Sequence, residues 1–88
     1  MIIEGLSWDE QAEEHIHRHS VTPEEVEQAV ENILYSRKSG EYFLVIAQTY
    51  GGRYLTLILD HLGDGLWYPV TGRDSEESEK RRARSSKR

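Results

Sequence analysis

The side chains best suited to chemistry are the cluster His15-Ile16-His17-Arg18-His19 and two arginines, Arg53 and Arg73, each at the boundary of a strand-like run. His15 and His19 stand four apart and share a face if the segment is helical, a spacing that can hold a metal. No HExxH pattern accompanies them and no third ligand is fixed by the sequence, so no metal or other cofactor is expected. The histidines and Arg18 also suit the negative C-terminal end of a helix. A third reading makes His19 a general acid or base, because imidazole changes charge near neutral pH. Arg53 and Arg73 carry planar forks that match phosphate oxygens and stay charged. Singly, each reads more readily as a surface residue paired with a nearby acid. Together, one histidine and several cations converging on one sheet face would suffice to cleave RNA without a metal. Attack of a ribose 2′-OH on its phosphodiester needs a base, donors for the crowded phosphate and a proton for the leaving oxygen.

Charge is unevenly spread along the chain. Residues 80–88 hold six Lys or Arg and no acid, whereas the first 79 residues hold sixteen acids against five bases. A basic end on an acidic body can grip a phosphate backbone, or it can be a solvated helix end fraying into a tail. The chain has no cysteine, which excludes disulfides and thiol chemistry. No apolar stretch approaches the ~20 residues needed to span a bilayer. The N-terminus lacks the basic and apolar regions of a signal peptide. A soluble, cytoplasmic protein without membrane partners is expected. Eighty-eight residues make one domain with a thin core, so a partner chain or a homo-oligomer would add stability.

Three helix starts position these residues. Ser7-Trp8-Asp9-Glu10 and Thr22-Pro23-Glu24-Glu25 both read as capping boxes, the second with proline at the first helical position. Asp74-Ser75-Glu76-Glu77 offers an acidic cap before a helix that ends in Lys and Arg. Val26, Ala29, Val30, Ile33 and Leu34 form one apolar stripe, which predicts a second helix ending near Tyr35, with Ser36 to Gly40 as a polar connection. A short extra strand near Tyr35 to Lys38 is also compatible. Tyr42–Thr49, Tyr54–Leu59 and Leu66–Thr71 read as strands, joined by Gly51-Gly52 and Gly63-Asp64-Gly65. Pro69 places the last of them at an edge or a bulge. The expected fold is α+β: two N-terminal helices, an antiparallel meander of three to four strands with one face covered by helices, and a C-terminal helix. Residues 1–82 would form the domain and residues 83–88 a basic tail.

The ordered motifs resemble the BrnT-like toxin family. They are Trp8-Asp9-Glu10, Glu14-His15-Ile16, and Arg18-His19-Ser20-Val21 leading into Thr22-Pro23-Glu24-Glu25-Val26. Glu41 to Val45, Gly52-Arg53-Tyr54-Leu55-Thr56, Val70-Thr71-Gly72-Arg73 and Glu79-Lys80-Arg81-Arg82 follow in order. Ser20, Gly72 and Ala83 stand where the family pattern has glycine, alanine and an aromatic residue. The resemblance covers roughly Trp8 to Arg82 and implies a RelE-like fold. It further implies a metal-independent endoribonuclease toxin of a type II toxin–antitoxin pair, acting on RNA and neutralised by a cognate antitoxin. His19, Arg53 and Arg73 would be catalytic, and Lys80 and Arg81 would hold RNA. The alternative is a non-catalytic relative that binds RNA or protein.

Overall fold

Residues 1–86 are described by a computed structural model. In chain order the elements are β1 (Gly5–Leu6), α1 (Glu10–His17), α2 (Pro23–Ala29), β2 (Ile33–Ser39), β3 (Tyr42–Gln48), β4 (Tyr54–Gly63), β5 (Leu66–Asp74) and α3 (Glu77–Ser86). The strands form one sheet in the order β1-β5-β4-β3-β2, antiparallel except for the parallel β1–β5 pair. The α+β class therefore holds, but the sheet is five-stranded and mixed rather than a three- to four-stranded meander, and a strand precedes the first helix. Two residues are too few to show a strand period. Their place is set instead by long-range bonds: Glu4 N–H to Gly65 O at 2.8 Å, Ser7 N–H to Trp67 O at 2.8 Å, and Trp67 Nε1–H to Ile2 O at 2.9 Å.

That same pairing moves the first helix cap. Because Ser7 stays extended beside β5, the cap of α1 falls to Asp9, whose carboxylate accepts from Ala12 N–H at 2.8 Å. At α2 the predicted box forms: Thr22 accepts from Glu25 N–H while Glu25 accepts from Thr22 N–H. The helix ends at Ala29, not near Tyr35, and Ser36 to Ser39 belong not to a polar connection but to β2, which contains the extra strand that the sequence also allowed near Tyr35 to Lys38. Ile33 and Leu34 satisfy a helical stripe and a strand equally well. Cross-strand pairing decides for the strand, with a register shift between Ile33 and Tyr35 that leaves Leu34 as a bulge. Asp74 ends β5 instead of capping a helix. Of the tail expected from residue 83, Ala83 to Ser86 lie in α3, with Ala83 completely buried, and residues 87–88 lie outside the described residues.

Helices cover both faces of the sheet, not one. Ile16, Val21, Val26 and Ala29 from the α1–α2 segment pack on Val45, Ala47, Leu55, Leu57 and Leu59, which alternate along β3 and β4. Each such leucine, removed from water, contributes about 1.5–3 kcal/mol. On the opposite face α3 lies over β2 and β3, above buried Ile46 and Thr56. Pro69 pairs with Leu59 at a register shift in β5, past the two residues that pair with β1.

Candidate functional site

The turn after α1 carries the histidine cluster. His19 N–H bonds to Ile16 O and Ser20 N–H to His17 O, with Ser20 held at φ 58°. His19 is exposed, and Arg18 pairs with Glu14 at 3.2 Å. His15 Nδ1 lies 3.2 Å from Val70 O, against the bulge in β5. His15, Arg18, His19, Val70 and Thr71 line an open cleft of about 280 Å³. No three metal-ligating side chains come together among the described residues.

Arg53 comes to the same side of the sheet. Its Nη1 donates to Ser20 O at 3.0 Å and to both oxygens of Glu25, at 2.9 and 3.0 Å. Its Nε and Nη2 donate to Asp74, at 2.7 and 3.3 Å. Hydrogen bonding to Asp74 raises the Arg53 pKa despite partial burial, and the same bond lowers that of Asp74. Burial works to raise Glu25, but the Thr22 N–H and Arg53 outweigh it and the carboxyl is lowered. Arg53 thus ties the turn beside His19 to α2 and to the end of β5. Its donors are already engaged with two carboxylates.

Arg73 projects to the other face. Its cross-strand partner is Thr56, one residue out of phase with the core leucines. There it forms a two-pronged bond to Glu79 of α3, at 2.8 and 2.9 Å. Glu79 also accepts from Thr56 Oγ1 at 2.9 Å and from Glu76 N–H at 2.8 Å, and Thr56 is hydrogen-bonded to Ser75 at 2.8 Å. Held first by Arg73, against the cost of burial, the Glu79 carboxyl is lowered from 4.5 to about 2. Arg73 and Arg53 flank Asp74 yet point to opposite sides of the sheet, so His19, Arg53 and Arg73 do not converge on one face.

The α3 face carries the expected Lys80 and Arg81 and adds Arg82, Arg84, Tyr35 and Tyr54, which the sequence did not mark as site residues. Arg82 stacks 5.3 Å over the ring of Tyr35 and donates to its hydroxyl at 3.0 Å. Lys80 and Arg84 each stand 6.0 Å from the ring of Tyr54. Arg81 is exposed on the same helix. The missed signal is Tyr35-Ser36-Arg37, whose period of two puts ring and cation on one side of a strand. The helical stripe through Val30 and Leu34 concealed it, although a strand near Tyr35 to Lys38 was also compatible. Comparison of the chain with protein-family models, curated proteins and solved structures finds no match.

Proposed function

We propose that this chain is an RNA-directed toxin of a type II pair, a metal-independent endoribonuclease of RelE-like type held in check by a cognate antitoxin in the cytoplasm. One observation carries the RNA reading: cations of α3 stand over tyrosine rings, Arg82 on Tyr35 and Lys80 with Arg84 at Tyr54. Basic side chains interleaved with aromatic rings suit a single strand, whose bases stack while its phosphates are neutralised. The order of the BrnT-like motifs supports the toxin reading. Lys80 and Arg81 hold the backbone in this account, and Arg73 exchanges Glu79 for a phosphate oxygen. RNA crossing the open edge of β5 at Arg73 and Asp74 would meet Arg53 and His19 on the far side, with His19 as acid or base.

A second reading, a non-catalytic RNA-binding relative, is favoured by the division of Arg53 and Arg73 between the two faces. Tightly controlled induction of wild type beside Arg73→Ala, matched for folded protein, separates the two. Growth arrest and RNA fragmentation by wild type alone are expected of the toxin. Equal growth and intact RNA in both, with RNA still retained in a gel shift, would leave the binding module.

A further inference from the structure

Between α3 and the outer strands lies a cleft of about 150 Å³, lined by Tyr35, Arg37, Leu44, Ile46, Ser78, Glu79 and Arg82. We infer that this cleft seats one nucleotide of a single-stranded RNA, with Tyr35 as its stacking wall and Arg37 as the cation for its phosphate. The inference rests on the RNA reading above and gives it a location. Size is the first argument. Pockets that enclose a whole small ligand measure about 300–1,000 Å³, so this one takes a single group of a larger molecule.

Charge is the second. Of the five basic residues in the first 79, Arg18, Arg53 and Arg73 are bound to carboxylates, while Arg37 and Lys38 have no ion pair among the described residues. Sixteen acids compete for those cations, yet exposed Arg37 is left facing the cleft. It is a donor open to an anion. Composition is the third argument. Leu44 and Ile46 give the lining apolar surface, Tyr35 an aromatic ring and exposed Ser78 a polar group, the mixture a base needs on its face and edge. A base inside a duplex cannot offer its face, so the cleft selects single strands.

The test is fluorescence anisotropy with a fluorescein-labelled oligouridylate and a labelled RNA duplex, titrated over a range of salt. The proteins are the full chain and its Arg37→Gln, Tyr35→Leu, Tyr35→Phe and Lys38→Gln variants. Arg37→Gln is expected to flatten the slope of log affinity against log salt by about 0.7, one phosphate contact on a single strand. Tyr35→Leu should weaken single-strand binding about tenfold, and Tyr35→Phe, which keeps the ring, much less. Lys38→Gln, a cation next to Arg37 that points to the other face of β2, should match wild type. If wild type binds the oligouridylate but Arg37→Gln and Tyr35→Leu bind it equally well, the cleft assignment is overturned and the RNA reading stands. Duplex bound as tightly as single strand, with the same loss in Arg37→Gln, also overturns the cleft. No wild-type binding at low salt overturns both. Arg37 is exposed, so its variant reports on binding even if Tyr35→Leu folds poorly.

Discussion

Leu57 lies so close over Gly72, its partner across the β4–β5 ladder, that a methyl group added to Gly72 would stand 2.7 Å from Leu57 Cδ2. The same methyl would stand 3.1 Å from Ile16 Cδ1. Both neighbours are wholly buried, so neither can swing aside. Gly72 is thus a point of close approach between α1 and the sheet. A residue adjoining a candidate catalytic arginine serves packing first.

Gly72→Ala is expected to lower stability by about 1–3 kcal/mol through overpacking, read as a drop in the urea midpoint. The loss should shrink in a Leu57→Ala background, where the obstructing methyl is gone. An equal loss in both backgrounds would place the strain elsewhere than between these two side chains.

Ser20 occupies the left-handed region at φ 58°, where a side chain crowds its own carbonyl. Ser20→Gly should raise stability by up to about 1 kcal/mol, the relief of strain exceeding the added freedom of the unfolded chain. Gly40 supplies the converse. Its φ is 64° with no atom near an added Cβ, so Gly40→Ala should cost about 1 kcal/mol from backbone strain alone. Thermal melts of the two variants should move in opposite directions.

Glu79 makes stability fall in acid. Its carboxyl is lowered from 4.5 to about 2, so its contribution is complete above the unfolded value and is lost as pH drops from about 4.5 through 2. With its side chain 18% exposed, the loss is on the order of 2 kcal/mol after allowance for solvent. Asp74 and Glu25 titrate in the same direction, so the informative comparison is wild type against Glu79→Gln. Between those pH limits the wild-type midpoint should fall more steeply than that of the variant. Parallel curves would show that Arg73 gains nothing from the charge on Glu79.

What the sequence made legible follows from how local each signal is. Thr22, Pro23 and Glu25 specify a cap within four residues, and the runs in β3 and β4 are long enough to show strand composition. The end of α2 depends on whether Ile33 finds Ala47 across a strand, a long-range event that periodicity does not report. Arg53 and Arg73 were visible as strand-boundary arginines, but their faces were not. Side-chain direction alternates along a strand, and the irregular register between Ile58 and Leu59 at the Val70 bulge shifts the phase of everything after it. Convergence of the predicted catalytic residues hung on that one residue. Lys80 and Arg81 were legible as a basic helix end, but how α3 seats on the sheet was not, because a helix whose one apolar residue is Ala83 shows almost no stripe.

Ala83 is fully buried against the sheet, at the position where the BrnT-like pattern has an aromatic residue. Only a small side chain lets α3 lie this close, and closeness is what brings Arg82 to Tyr35 and Lys80 to Tyr54. Ala83→Tyr should therefore push the helix outward, at a cost of about 1–3 kcal/mol. It should also weaken binding of single-stranded RNA, because the cations leave the rings on which the bases would stack. Arg81→Ala separates these two consequences. Arg81 is exposed, so its loss should change stability by less than about 0.5 kcal/mol, while flattening the salt slope of RNA binding by about 0.7. Urea denaturation and anisotropy on the two variants give the answer. If Ala83→Tyr loses stability but binds RNA as wild type does, α3 braces the sheet without being the surface that holds RNA.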